Sequence, residues 1–379
     1  MEERVEGLWS DVRELNLGTT TEIEHLHNPP TPLCFLRDFV SQNKPCLISN
    51  ATTHWPALSL WPSNSYLCKA LKDSTISLHL TPNGRADALT TFTLPNNKNS
   101  LTCFASAFVK RMPFDRALNL IATKTEKKGT VAYMQQQNDC LLEEFGVIAG
   151  DVAAEVGWAT EAFGCSPEAA NLWIGNGESE TWWHKDHYEN LYAVVSGEKH
   201  FLLLPPTDVH RLYVKEYPAA QYTCDDDHDL ESGELRLELE EPLRYIPWCS
   251  VDPYPSPERR GREMSLYPRY FNGPKPFECT VKAGDMLYFG STELIDHLLL
   301  GECRPSMWFH HVRQTPDSEG KTIAVNYWYD MQFDIKYAYF YFLQSISLPS
   351  NDPEKAQHPD TEDYKKQQVL QIPIGEQED

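Results

Sequence analysis

The sequence predicts a mainly β fold with flanking helices (α+β), built as an antiparallel double-sheet barrel of the jelly-roll or cupin type, a double-stranded β-helix. Three observations carry this. From about residue 170 the chain breaks into short β-prone runs at regular spacing, separated by turn residues. Two pairs of runs flank tight turns, Ser196-Gly197-Glu198 and Ala283-Gly284-Asp285, and read as hairpins. The run at 323–329 is strongly β-prone throughout. Alternate positions of such strands line the barrel interior, so side chains from several strands can converge there.

Each element follows in order. Residues 4–17 place Val5, Leu8, Trp9, Val12 and Leu15 at helical spacing, an amphipathic helix. Prolines and aromatics punctuate 29–62 around a short buried strand at 46–49. A helix is expected at 66–72. Strands at 76–80 and 88–94 flank the Asn83-Gly84 turn. Residues 102–111 read as helix, 131–135 as strand and 141–145 as helix. The barrel strands are 172–174, 190–196, 199–204 (ended by Pro205-Pro206), 278–282, 286–289 and 323–329. Between them, the acidic run 224–241 reads as a solvated loop and 247–257 as a proline-rich extended connection. Residues 337–345 have helical spacing, and 350–379 are polar and frayed. The chain thus divides into an N-terminal helical and β region (1–130) packed on the barrel, the barrel itself (131–345), and a polar tail (346–379). Tyr337, Tyr339, Phe340, Tyr341 and Phe342 offer either a homodimer contact or core packing.

Composition bounds the function. With 55 acidic against 33 basic residues the net charge is −22. That argues against unaided nucleic-acid binding, which needs cations to neutralise phosphates. It suits a basic peptide or protein as partner. The ten cysteines form no Cys-x-x-Cys pair, so a zinc ribbon or thioredoxin motif is unsupported. Reduced thiols fit a cytosolic or nuclear protein. The charged start, Met-Glu-Glu-Arg-Val-Glu, is no signal peptide, and no apolar run reaches membrane-spanning length.

His184 and Asp186 form a His-x-Asp. Residues two apart on a strand share a face, so an imidazole and a carboxylate would project together. One further histidine completes a two-His-one-carboxylate triad, the usual cradle for non-haem Fe(II). Alone, His-x-Asp is a weak signal, and a satisfied polar pair on a strand is its bland reading. The third donor should come from a late strand, where His310 and His311 are adjacent. Adjacent strand residues face opposite ways, so only one can reach the metal.

Taken together, Asn171-Leu172-Trp173, His184 through Asn190, Ser196-Gly197-Glu198-Lys199, Ala283-Gly284-Asp285, Trp308-Phe309-His310-His311-Val312 and 324–329 resemble the JmjC family of Fe(II)/2-oxoglutarate oxygenases. The likeness is nearest to its small JmjC-only lysyl hydroxylases and runs from the first helix to about residue 345. It implies His184, Asp186 and His310 as iron ligands, with O2 and 2-oxoglutarate as cosubstrates. It implies Lys199 and Tyr133 at the distal carboxylate of 2-oxoglutarate, and Thr181, Asn190 and Asn326 lining the same pocket. A cation on a strand paired with the metal strand would neutralise that carboxylate. Lys185 and His187 alternate out of phase and face away. Trp182 and Trp183 read as barrel packing or rim, and Trp328 as core. The implied substrate is a lysine of a GTP-binding protein of the developmentally regulated type, hydroxylated at C3. A second implied activity is metal-dependent cleavage of histone tails at methylated lysine or arginine.

One departure stands out. In the family, Gly-Asp-Met-Leu-Tyr leads almost directly into Pro-x-x-Trp-x-His-His, whereas here residues 289–304 intervene between Tyr288 and Pro305. Long loops cost little closure entropy, so the barrel can loop this insert out. An insert this apolar can instead displace His310 and leave an inactive cupin-like scaffold. Rival chemistries lack their motifs: there is no His-Glu-x-x-His and no Gly-x-Ser-x-Gly, and Gly320-Lys321-Thr322 lacks the leading glycine of a P-loop.

Overall fold

Two sheets pack face to face, and the chain switches between them at nearly every turn. The structure, a computed structural model, describes residues 2–18, 20, 22–93, 100–123, 130–186, 188–224, 235–290, 308–331 and 342. The larger sheet runs, in spatial order, Glu24–Leu26, Cys46–Ile48, Met286–Gly290, Glu189–Ser196, Thr322–Tyr329 and Ala169–Gly175. The smaller runs Phe277–Lys282, Glu198–Leu204, Phe309–Thr315, Glu180–His184 and Arg85–Ala86. This is the expected jelly roll.

The strands pair differently from the expectation. Glu189–Ser196 pairs with Met286–Gly290 and Thr322–Tyr329, while Glu198–Leu204 pairs with Phe277–Lys282 and Phe309–Thr315. Neither expected hairpin is one. Gly197 (φ 72°) and Gly284 (φ 96°) carry the chain from one sheet to the other. At Gly197 a Cβ would lie 2.6 Å from the Thr315 carbonyl oxygen, so both conformation and space demand glycine. A tight turn reverses the chain but does not choose its hydrogen-bond partners.

Period-two alternation then sorts the side chains. Along Thr322–Tyr329, Ile323, Val325, Tyr327 and Tyr329 join the outer core against the N-terminal helices. Ala324 joins the barrel interior with Tyr192, Val194, Phe201, Leu203, Val281 and Val312. Both faces are buried, which is why apolar residues occupy both, with Asn326 the polar exception toward the site. Each large side chain so buried contributes about 1.5–3 kcal/mol.

Residues 102–111, expected as helix, are instead two strands, Ser100–Ser106 and Phe108–Pro113. They pair with Ala88–Thr93 and Thr75–Thr81, so sheet partners override a weak local pattern. The strands on either side of Asn83-Gly84 likewise do not pair with one another. A strand, Leu235–Leu239, lies within the acidic run and pairs with Lys215–Cys224. The expected extended connection contributes the strand Tyr245–Trp248 and opens the helix Pro257–Leu266.

The first helix, Glu2–Leu17, is anchored by Trp9, which stacks on His210 at 3.7 Å, and by Arg13, which donates to Asp208 at 2.9 Å. Leu15 is 87% exposed, so it falls off the expected stripe. Of the insert, Phe289 and Gly290 complete a barrel strand, and the rest lies outside the described residues. The Trp308 N–H donates to the Gly290 carbonyl at 3.1 Å, so the chain leaves and re-enters the barrel at one point. The tail and the expected helix at 337–345, apart from Phe342, also lie outside the described residues.

Candidate metal centre

The strand Glu180–His184 carries the first donor. Thr181 lies opposite Val312 and His184 opposite His310. Three steps on one strand thus match two on the other, a β-bulge. The extra residue turns Thr181 and His184 to the same inward face although they are three apart. The Trp182 carbonyl accepts a hydrogen bond from His184 Nδ1 at 2.8 Å. A carbonyl can only accept, so the proton is on Nδ1 and the Nε2 lone pair is left for a metal.

Asp186 lies just past the end of that strand, so the turn of the chain, rather than strand alternation, brings it to His184. Its Oδ1 is 3.3 Å from His184 Nε2 and its Oδ2 is 3.4 Å from His310 Nε2. The three donor groups lie within 4.8 Å of one another. Alternation resolves the His310–His311 choice. His310 faces inward, while His311 faces out and meets Glu180 Oε1 at 2.8 Å.

Electrostatics match this arrangement. Burial pushes Asp186 up, but His310 and His184 more than reverse this and hold it well below the usual carboxylate range. Burial lowers His310, and His184 beside it lowers it further. Burial alone would lower His184 too; Asp186, the Trp182 carbonyl and Asp87 together outweigh that and raise it.

Asp186 is held from behind. Asn190 Nδ2 donates to its Oδ2 at 2.9 Å, Asn326 Nδ2 donates to Asn190 Oδ1 at 3.3 Å, and Trp173 Nε1 donates to Asn326 Oδ1 at 2.8 Å. An indole can only donate and a carboxylate can only accept, so the two ends fix the orientation of both amides.

A second group gathers at Lys199. It is 1% exposed, and its Nζ donates to the Tyr133 hydroxyl at 2.8 Å. Thr181 and Tyr192 hydroxyls also bond Tyr133. Burial pushes the lysine down to about 7. Its strand pairs with that of His310, not with that of His184 as expected.

Of the residues anticipated, His184, Asp186 and His310 come together; Thr181, Tyr133 and Lys199 form the neighbouring group; and Asn190 and Asn326 stand behind Asp186. Tyr192 was missed. It sits two residues beyond Asn190, hence on the same inward face, and that spacing was the available signal. Trp182 and Trp328 are buried and line the cleft. Lys185 does not turn fully away: it lines the same cleft, its Nζ 5.7 Å above the Phe309 ring. His187 lies outside the described residues. The cleft, of about 200 Å³, reaches Thr181, His184 and Asp186 from the surface.

The donor set fits a ferrous ion: two imidazole nitrogens and one carboxylate on one side, with the cleft on the other. The Lys199 group fits a carboxylate. It holds an ammonium and three hydroxyls and, among the described residues, its hydrogen bonds include no anion.

A family model described as a cupin-like domain matches residues 32–335. An Arabidopsis thaliana protein named lysine-specific demethylase JMJ32 is 56% identical over 93% of this chain and 93% of its own. The Homo sapiens bifunctional peptidase and (3S)-lysyl hydroxylase JMJD7 is 36% identical over 92% of this chain and 98% of its own. The Dictyostelium discoideum JmjC domain-containing protein E is 34% identical over 86% and 89%.

Proposed function

The chain belongs to the JmjC branch of the cupin-like proteins, 2-oxoglutarate-dependent oxygenases, and from this we propose that it is a protein lysyl hydroxylase acting at C3 of a lysine in a GTP-binding protein of the developmentally regulated type. The observation that carries the reading is Lys199, a buried cation whose hydrogen bonds among the described residues include no anion, beside a two-His-one-carboxylate cluster. A hydrolase needs the metal ligands but has no use for that cation.

His184, Asp186 and His310 would hold the iron. Bound together, Fe(II), 2-oxoglutarate and O2 supply oxidation of a substrate C–H, with succinate and CO2 released. Lys199 and Tyr133 would take the distal carboxylate of 2-oxoglutarate, with Thr181 and Tyr192 fixing the Tyr133 hydroxyl. The Trp173–Asn326–Asn190 chain keeps Asp186 oriented toward both histidines. Burial of the Lys199 group excludes water, which strengthens each of these charge contacts.

Two other readings have specific support. The human relative's name includes peptidase, and the Arabidopsis relative's is demethylase. All three share the metal ligands, and they differ in product. The test is incubation with Fe(II), ascorbate, 2-oxoglutarate and a lysine peptide from the GTP-binding protein, reading succinate and peptide mass. Hydroxylation gains one oxygen and consumes 2-oxoglutarate, and Lys199→Ala abolishes both. Cleavage without 2-oxoglutarate that survives Lys199→Ala contradicts the proposal in favour of the peptidase. Loss of a methyl group, from a methylated peptide only, favours the demethylase.

A further inference from the structure

The hydroxylase reading leaves one carboxylate in the cleft without a task. Asp87 lines it beside Thr181, His184 and Asp186. It joins the strands Arg85–Ala86 and Ala88–Thr93, and its neighbour Ala86 is paired with Thr181. This places it alongside the strand that carries His184. Its backbone takes φ 51°, a left-handed conformation that aspartate is among the few non-glycine residues to tolerate. Burial pushes its carboxyl up, while His79, a hydrogen bond to Ser106 and His184 act in the opposite direction; among the described residues no lysine or arginine is one of these partners.

The other charged groups of the cleft are already committed. Asp186 faces both histidines and Asn190. Lys185 holds its Nζ above the Phe309 ring. Asp87 therefore complements Lys199: among the described residues, Lys199 is a buried cation whose hydrogen bonds include no anion, and Asp87 is a half-buried carboxylate at the cleft wall with no lysine or arginine acting on it. Aromatic walls complete the cleft, with Phe104, Trp182, Trp248 and Trp328 around the polar floor. A long alkyl stem ending in an ammonium matches both features, the stem against the rings and the head on the carboxylate.

We propose that Asp87 is the specificity-determining residue of this site, its carboxylate receiving the ammonium of the substrate lysine in the cleft beside His184. The inference rests on the hydroxylase reading for the orientation of the lysine, and it is tested by binding rather than by turnover. The variants are Asp87→Asn and Asp87→Gly, since asparagine and glycine best accept the left-handed backbone. The probes are two fluorescent peptides from the GTP-binding protein, one with its lysine and one with norleucine in its place. Full-length protein loaded with Mn(II) and 2-oxoglutarate is titrated by anisotropy, and bound manganese is measured in parallel.

Wild type should favour the lysine peptide by at least about tenfold, the cost typical of a buried charge left unpaired, and both variants should lose that preference while keeping manganese. No preference in wild type, a preference that persists in both variants, or loss of manganese from both overturns the inference. If the preference behaves as expected but no peptide is ever oxidised, the hydroxylase reading fails and the assignment of Asp87 stands. If hydroxylation proceeds with the preference unchanged in both variants, the assignment fails alone.

Discussion

Lys199 shows how one residue can carry both stability and ligand chemistry. Burial pushes it from 10.5 in an ordinary setting to about 7. Between those values the unfolded chain binds more protons than the folded one, so this lysine makes stability rise with pH across that window. Anion binding has the opposite dependence. Below about 7 the empty site already carries the ammonium. Above it, a bound carboxylate must draw a proton in. The dissociation constant of 2-oxoglutarate, measured with Mn(II) in place of iron, should therefore be flat below about pH 7 and climb above it, by up to about tenfold per unit. Lys199→Arg should stay flat to higher pH because a guanidinium does not deprotonate. A flat profile for the wild type would show that Lys199 does not meet the oxoacid. At this scale the sequence was legible in part: the His-x-Asp pair named the right two residues, though a turn past the strand end rather than strand alternation brings Asp186 to His184, and alternation allowed only one of His310 and His311. Asp87 was not legible, because neither its left-handed backbone nor its cleft position has a signature in the neighbouring residues.

The elements show what spacing leaves out. The bulge between Thr181 and His184 sets both inward, against strict alternation. No residue there announces it. The tight turns at Gly197 and Gly284 were legible as turns, but they join strands of different sheets. Turn chemistry fixes direction, and pairing is decided by which long strands bury their two faces best. Gly175, at the end of Ala169–Gly175, shows how a strand makes room for the site. A Cβ there would lie 2.4 Å from Gln314 Nε2 and 2.7 Å from the Tyr133 ring. Gly175→Ala should push Tyr133 off Lys199, weaken 2-oxoglutarate binding, and cost about 1–3 kcal/mol of stability by overpacking. Isothermal titration and thermal unfolding measure both. Wild-type affinity in this variant would show that Tyr133 is not a contact for the cosubstrate.

For the whole molecule, the fold class was legible from the density of short strands, and the chain's membership from several motifs at once. The helix expected at 102–111 failed because two further sheets, invisible locally, claim those residues as strands. The insert raised the question of whether His310 could still reach its partners, and no local pattern could answer it. The answer comes from the barrel: Trp308 is bonded to Gly290, and His310 lies 3.4 Å from Asp186. The central claim is that three side chains from two remote segments share one ferrous ion, with Lys199 holding an oxoacid beside it. Anaerobic titration of the full-length protein with Fe(II) and 2-oxoglutarate, followed by the visible absorption of the iron–oxoacid chelate, tests it most directly. The account predicts saturation at one equivalent for the wild type, with no chelate signal for His310→Ala and a weakened one for Lys199→Ala. An undiminished signal in His310→Ala, or none in the wild type, would contradict it.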